Sequence, residues 1–213
     1  MTAKQLKNSI LKEAFEGKLT IPSLKNSVKA KNKIDLNSAL GNDNLPKDWE
    51  ITTLGEVCDI TMGQSPNGKS LTNINENTNP KAMEFHQGKI YFSNKYILQS
   101  NIVTTDIKKI AKKNSVLLCV RAPVGIINIT QREIAIGRGL CSLNFKYSNN
   151  DFLYYYLLTK INYFNEKSTG STFKAITLDV IKNTKIPIPP IEEQKRIVEK
   201  LDKLMDLCEK MTK

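Results

Sequence analysis

The 213-residue sequence has one histidine, one tryptophan and four cysteines, and each scarcity closes off some chemistry. Cys58, Cys119, Cys141 and Cys208 lie far apart without a CxxC pair, and His86 stands alone. A zinc site of the usual ligand spacing is therefore excluded. No apolar run approaches the ~20 residues that span a bilayer. The opening Met1-Thr-Ala-Lys-Gln-Leu-Lys7 has no apolar h-region, so no secretory signal is expected. Dispersed cysteines without such a signal read as free thiols in a reducing cytoplasm. Hydrophobic residues at 40% and charged residues at 25% exclude a wholly disordered or collagen-like chain. The length suits one full domain, or one domain with an appendage.

Catalytic signatures are also missing. There is no GxxxxGK[ST] phosphate loop, no GxGxxG after a strand and no GxSxG elbow. A Ser-His-Asp arrangement would have to use His86, and a lone histidine beside a turn, Glu84-Phe85-His86-Gln87-Gly88, is expected to be structural or at the surface. Glu193-Gln-Lys195 superficially matches the end of a nuclease metal motif, but it opens a helical stretch without a Pro-Asp pair before it. No carboxylate set suggests a metal, and no cofactor is expected.

Positive charge is abundant. The net charge is +11, distributed as +6 over residues 1–34, +2 over 35–159 and +3 over 160–213. A basic chain without a membrane signature suits a polyanion, most often nucleic acid. Lysine-rich composition from an AT-rich genome accounts for the charge equally well, and the many Asn, Ile and Lys residues fit it.

Along the chain, residues 3–16 put Leu6, Ile10, Leu11, Ala14 and Phe15 at helical spacing before a capping Gly17. An isolated helix of about four turns is marginal in water, so it must lie on something. Residues 18–44 read as a linker with a short helical turn near Leu36–Leu40. Leu45-Pro-Lys-Asp-Trp49 starts a globular domain with Trp49 as a core anchor. Strands are expected at Thr53–Met62, Lys89–Phe92, Ser115–Arg121, Ile126–Thr130, Ile134–Ile136 and Leu140–Phe145, with turn chemistry at 63–68 and a tight connection at Ala122–Gly125. Residues 150–164 read as a helix whose apolar face is Leu153, Leu157, Leu158 and Ile161. Leu178–Ile181 reads as a short helix, and Pro187, Pro189 and Pro190 fix an extended segment.

Ile191–Met211 is the most legible helix. Ile197, Leu201, Leu204, Cys208 and Met211 recur at steps of 4, 3, 4 and 3, a heptad seam roughly 30 Å long at 1.5 Å per residue. Such a seam needs a partner helix, from the N-terminal helix with Leu6 and Ile10, from a second copy, or from another protein.

Several segments together resemble the target-recognition half of a type I restriction-modification specificity (S) subunit. They are Leu45-Pro-Lys-Asp-Trp-Glu-Ile-Thr-Thr-Leu-Gly-Glu-Val57, Val120-Arg-Ala-Pro-Val-Gly125, Ile136-Gly-Arg-Gly-Leu140, Gly170-Ser-Thr-Phe-Lys-Ala-Ile176 and Ile186-Pro-Ile-Pro-Pro-Ile-Glu-Glu-Gln-Lys-Arg-Ile-Val198. Residues 6–19 resemble the end of that family's central helical spacer. The resemblance implies an α+β fold with a target-recognition domain at 45–190, a spacer helix at 1–17 and a coiled-coil spacer helix at 191–213. It implies a non-catalytic, cytoplasmic subunit that reads double-stranded DNA and directs methyltransferase subunits, and a translocating restriction subunit, to a bipartite site. Family members usually carry two recognition domains; this sequence holds one, so pairing with a second copy on a gapped palindrome is expected.

Phosphate contacts would set affinity and groove-facing side chains specificity. Candidate readers are side chains with bidentate capacity. Gln64, Ser65, Asn67 and Lys69 cluster on one loop; Asn94, Lys95 and Gln99 form a second cluster; Arg132 follows a strand. Arg138, within the glycine motif, could touch a phosphate or a buried carboxylate. Thr172 and Lys174 belong to the 170–176 loop. Lys108, Lys109, Lys112 and Lys113 read as a solvated turn or as a phosphate clamp. Gly125, Gly137 and Gly139 are expected to be turns.

A reading from another class is a coiled-coil adaptor that binds protein without DNA specificity. Steep salt dependence would separate the two. A recognition domain detached from a fused methyltransferase would carry an Asn-Pro-Pro-Tyr-type motif elsewhere, and this sequence has none.

Overall fold

The computed structural model describes residues 2–20, 45–76, 79–170 and 174–211. The helical turn expected near Leu36–Leu40, most of the linker and Thr172 lie outside the described residues. The elements run α1 (Ala3–Phe15), β1 (Glu50–Thr53), α2 (Leu54–Val57), β2 (Cys58–Met62), β3 (Leu71–Asn73), β4 (Met83–His86), β5 (Ile102–Thr104), β6 (Ile110–Ala111), β7 (Val116–Cys119), β8 (Ile127–Ile129), β9 (Ile134–Ile136), β10 (Leu140–Phe145), α3 (Asn150–Thr159), α4 (Ile161–Lys167), α5 (Leu178–Lys182), β11 (Lys185–Ile188) and α6 (Ile191–Lys210). The fold is α+β, with two compact units: residues 1–52 with 185–213, and residues 53–184.

In the first unit α1 and α6 pack antiparallel. Lys7 Nζ meets Glu209 Oε1 at 3.3 Å near one end, and Lys200 Nζ donates to the Leu19 carbonyl at 2.8 Å near the other. Thr20 Oγ1 also donates to Glu193. Thr2 opens α1 with a capping box. Its hydroxyl accepts from Gln5 N, and the Gln5 side chain accepts from Thr2 N. The chain leaves the helix through Gly17 at φ 72°, a left-handed conformation that suits glycine. β1 and β11 pair in a two-stranded sheet, and Trp49 is buried.

The seam therefore takes its partner from the same chain, with a shifted register. The buried apolar residues of α6 are Ile197, Val198, Leu201, Met205 and Cys208, and those of α1 are Leu11, Ala14 and Phe15. Leu6, Ile10 and Leu204 are half-buried, and Met211 is 73% exposed. Met205 fills the position expected of Leu204, because one straight helix against one partner follows 3.6 residues per turn rather than the 3.5 of a supercoil.

The second unit holds two larger sheets. The four-stranded sheet has the order β2-β10-β7-β8, with every neighbour antiparallel. The five-stranded sheet has the order β3-β5-β4-β9-β6, and only its β4–β9 pair is parallel. Leu117, Cys119 and Leu140 from the first sheet meet Ala111, Ile134 and Ile136 from the second in one buried cluster with Ile97. All four residues of β7 are buried, because α3 packs on β7, β8 and β10 as a further layer.

Three local expectations change. Lys89–Phe92 is not a strand: Lys89–Tyr91 forms a 3-10 turn closed by Phe92 N on the Lys89 carbonyl, and Tyr91 and Phe92, though adjacent, both pack on the core cluster. The strand expected at Thr53–Met62 is broken by α2, which the Thr53–Glu56 capping box nucleates. The helix expected at 150–164 is two helices meeting at Lys160. Phe152 through Leu157 are buried consecutively, so α3 has no polar face to show a period.

The α1–α6 pairing yields a stability prediction. Leu201 is fully buried, so Leu201→Ala should cost about 3 kcal/mol in urea denaturation followed by circular dichroism. Glu199→Ala, at an exposed position of the same helix, should change stability by less than about 0.5 kcal/mol.

Candidate nucleic-acid interface

The parallel β4–β9 pair sets Phe85 beside Ala135 and His86 beside Ile136. The segments that follow, Gln87-Gly88 and Gly137-Arg138-Gly139, therefore leave the sheet side by side. Gly137 N donates to the His86 carbonyl at 2.8 Å. The loop after β2 joins them: Gly63 N donates to the Leu140 carbonyl at 2.9 Å and Gln64 N to the Ile136 carbonyl at 3.0 Å. These backbones approach too closely for side chains. A Cβ on Gly63 would stand 2.2 Å from the Gly137 oxygen, and one on Gly139 would stand 2.2 Å from the Gln87 oxygen.

Side chains then link the loops. Ser65 Oγ donates to Gln87 Oε1 at 3.1 Å and accepts from Arg138 N at 3.4 Å. Asn67 caps the short turn Gly68–Ser70 by accepting from Lys69 N, while its own N–H donates to Asp106 Oδ2 at 2.9 Å. The backbone bond from Asn67 and the nearby Lys108 ammonium, 2.7 Å from Asp106, hold the Asp106 carboxyl below its ordinary value. Ile136 N donates to the Lys109 carbonyl at 2.9 Å, which brings Lys109 to the same edge.

The structure thus joins Gln64, Ser65, Asn67, Lys69 and Arg138 into one surface and adds Lys108 and Lys109 of the basic run. Gln64, Asn67, Lys69, Gln87, Lys89, Lys108, Lys109 and Arg138 are exposed. Among the described residues, the Arg138 guanidinium has neither an ion pair nor a hydrogen bond. Gln87 was missed in the sequence. Its signal was a polar residue set between a buried strand and a glycine, the same setting as Arg138.

The second sequence cluster is tied inward. Lys95 Nζ pairs with Asp151 at 2.8 Å and lies 5.1 Å from the centroid of the Tyr155 ring. The Asn94 carbonyl accepts from Tyr154 Oη at 2.9 Å, while Asn94 and Gln99 remain exposed. Lys174 is exposed, and its carbonyl accepts from Ala122 N. Lys112 and Lys113 lie exposed on the turn before β7.

Arg132, half-buried, directs its guanidinium to partners within the protein. Nε donates to Glu84 Oε2 and Nη2 to Glu84 Oε1, each at 2.5 Å, and Nη2 also donates to the Leu98 carbonyl at 3.1 Å. Glu84 further accepts from Ser100 N and pairs with His86 Nε2, both at 2.7 Å. This fork is a fixed staple that joins β4 to the 97–100 segment. His86 is 1% exposed and takes the structural role expected of it. Burial pushes the thiols of Cys58, Cys119 and Cys141 up to about 12, so none is a nucleophile near neutrality. Among the described residues no group of His, Cys, Asp or Glu could hold a metal ion.

Burial alone would raise the Glu84 pKa, but hydrogen bonds from His86, Arg132 and Ser100 outweigh it and lower it from 4.5 to about 2. A carboxyl depressed in the folded state stabilises the fold above its unfolded value and loses that contribution as pH falls through the folded one. Wild-type stability in urea should therefore fall between about pH 4.5 and pH 2 more steeply than that of Glu84→Gln. Parallel profiles would refute the staple.

Known proteins share this architecture. A family model described as the type I restriction modification DNA specificity domain matches residues 46–213. The putative type I restriction enzyme MjaX specificity subunit of Methanocaldococcus jannaschii is 38% identical over 172 residues, which is 78% of this chain and 38% of that protein. The MjaIX specificity subunit of the same organism is 28% identical, over 79% of this chain and 40% of its own length. The chain thus spans about two fifths of the length of these relatives. The crystal structure of the HsdS subunit from Thermoanaerobacter tengcongensis matches 99% of this chain and 45% of its own, with a TM-score of 0.73 and 30% identity. A second structure, from work on complex assembly and conformational transition of the type I R-M system, matches 98% of this chain and 48% of its own, with a TM-score of 0.69 and 30% identity. With the family model covering most of its length and this fold beneath it, the chain belongs to the type I restriction-modification DNA specificity family.

Proposed function

We propose that this chain is a non-catalytic reader of DNA sequence that brings methyltransferase subunits, and with them a restriction subunit, to its site. The observation that carries this reading is the Arg138 surface. A guanidinium that has no partner among the described residues, the amides of Gln64, Gln87 and Asn67, and the ammonium groups of Lys69, Lys89, Lys108 and Lys109 belong to loops bonded to one another, with Asp106 as the acid bonded into them. Lysines suit phosphates as point charges, while arginine and the amides can form paired hydrogen bonds to base edges. In this reading Gln64, Ser65, Asn67 and Arg138 meet bases, Lys69 and Lys174 meet the backbone, and Asn94 and Gln99 contribute from the neighbouring segment. Such a reader works where the DNA is, in the cytoplasm.

Duplex binding should fall by orders of magnitude between 50 and 200 mM salt, because several phosphate contacts release counterions. Arg138→Ala should weaken specific binding by about tenfold or more without changing the melting temperature. Salt-insensitive binding would favour the protein-binding adaptor instead.

The reader also pairs with a second copy, which would set two identical edges on inverted half-sites of a gapped palindrome. Support comes from a residual apolar line on α6. Leu204, Leu207 and Met211 recur at steps of 3 and 4, half-buried, 56% exposed and 73% exposed. Light scattering should report about twice 24.1 kDa, and Leu207→Glu should halve that mass. A wild-type monomer at micromolar concentration would overturn the pairing and leave the DNA reading standing.

A further inference from the structure

The segment after β4 carries an apolar side chain that the fold does not use. Lys89–Tyr91 is held at both ends: Phe92 N donates to the Lys89 carbonyl at 2.9 Å, and Leu98 N to the Tyr91 carbonyl at 2.8 Å. Tyr91 turns inward, edge-on to His86 at 5.4 Å between ring centroids, with its hydroxyl accepting from Asn101 N. Ile90, at the centre of the turn, is left 85% exposed.

Single apolar residues at a surface are ordinary. The setting of this one is not. Ile90 follows Lys89 and stands three positions after Gln87, whose side chain is hydrogen-bonded to Ser65 and whose carbonyl packs against Gly139. Its exposed chain neighbours are Gln87 and Lys89, and Leu98, 59% exposed, stands beside the turn through its bond to the Tyr91 carbonyl; a cation and an amide at this place fit a polyanion better than an apolar protein face. Duplex DNA offers one aliphatic group on its base edges, the C5-methyl of thymine in the major groove. Lysine and arginine have no aliphatic terminus to meet it, and the turn holds a branched one out at a fixed position.

We propose that Ile90 reads a thymine by packing on its C5-methyl group, beside the bases met by Gln87 and Arg138. The proposal rests on the DNA-reading function above and adds a thymine to what that surface selects.

The test selects binding duplexes from a randomised pool with the 213-residue chain and with Ile90→Ala. Ile90 is exposed, so both should melt at the same temperature. The wild type should enrich a motif that contains a T·A pair whose preference disappears with Ile90→Ala, the other positions being kept. Replacing that thymine by uracil removes only the methyl group. It should weaken wild-type binding about fourfold, the effect of losing one buried methyl, and should leave Ile90→Ala binding unchanged. Ile90→Val should keep a reduced preference.

Identical motifs for both proteins would overturn the proposal, as would an equal uracil penalty for both. So would loss of methyltransferase capture by Ile90→Ala with its motif intact, which would make the residue a protein contact. Ile90-dependent bending of the duplex without a uracil effect would make it a wedge between base steps and would equally overturn it. If the wild type enriches no motif, the DNA-reading function itself fails; if it enriches one that Ile90→Ala shares, only the role of Ile90 fails.

Discussion

Two adjacent strands running the same way, β4 and β9, constrain the whole surface proposed to read DNA. Parallel neighbours send their C-terminal loops out at the same edge, so Gln87 and Arg138, 51 positions apart, emerge together. An antiparallel pairing would send them to opposite ends. The close approach at Gly63 and Gly139 then turns proximity into rigidity, because backbone bonded to backbone leaves little room to rearrange. A reader gains from this. Side chains held before DNA arrives lose less freedom on binding, and discrimination between bases depends on donors that cannot move to suit the wrong partner.

Two arginines on this unit show how surroundings decide a role. Arg132 and Arg138 are six positions apart, on either side of β9. Arg132 meets a carboxylate in a two-bond fork and becomes part of the frame. Arg138 is flanked by glycines, is exposed, and has no ion pair among the described residues. The frame and the surface share β4: Glu84 anchors the staple, and Gln87 begins the exposed edge three residues later. Disturbing the staple therefore displaces the strand from which one reading loop departs.

The sequence was most legible where a decision is local. Spacing, caps and turn residues located α1, α6, α5, β7 through β10 and the glycine turns close to where they are found, since each depends on neighbours within a few positions. It was least legible where burial or pairing over distance decides. The run from Phe152 to Leu157 shows no period because it is covered all round. Lys89–Phe92 alternates like a strand, yet two consecutive aromatics face the core. Arg132, a candidate for its place just beyond a strand, has a partner that no local pattern shows, since Glu84 lies 48 positions away. The loop at 63–70 was recognised as polar, but its companions Gln87 and Arg138 needed the sheet order to find it. The family motifs identified the architecture without indicating which side chains it leaves in solvent.

The paired helices show why a heptad count alone under-determines a partner. A 20-residue helix with Ile197, Leu201, Leu204, Cys208 and Met211 must cover an apolar stripe, and α1 covers part of it within the same chain. That helix is only 13 residues long, so it spans about 20 Å against about 30 Å for α6. Its packing also draws on Met205 in place of Leu204, which rotates the covered face. What remains, Leu204 with Leu207 and Met211, lies on another face of α6, at the end where Lys7 meets Glu209, and keeps the 3–4 spacing. One helix thus carries two stripes, one buried against α1 and one that stays partly to largely exposed among the described residues. In the proposed pair two recognition edges would stand a fixed distance apart, and this division of α6 suits that arrangement. The inner stripe makes the helix rigid before assembly, so that a contact on the outer one could set a spacing rather than merely hold two molecules together.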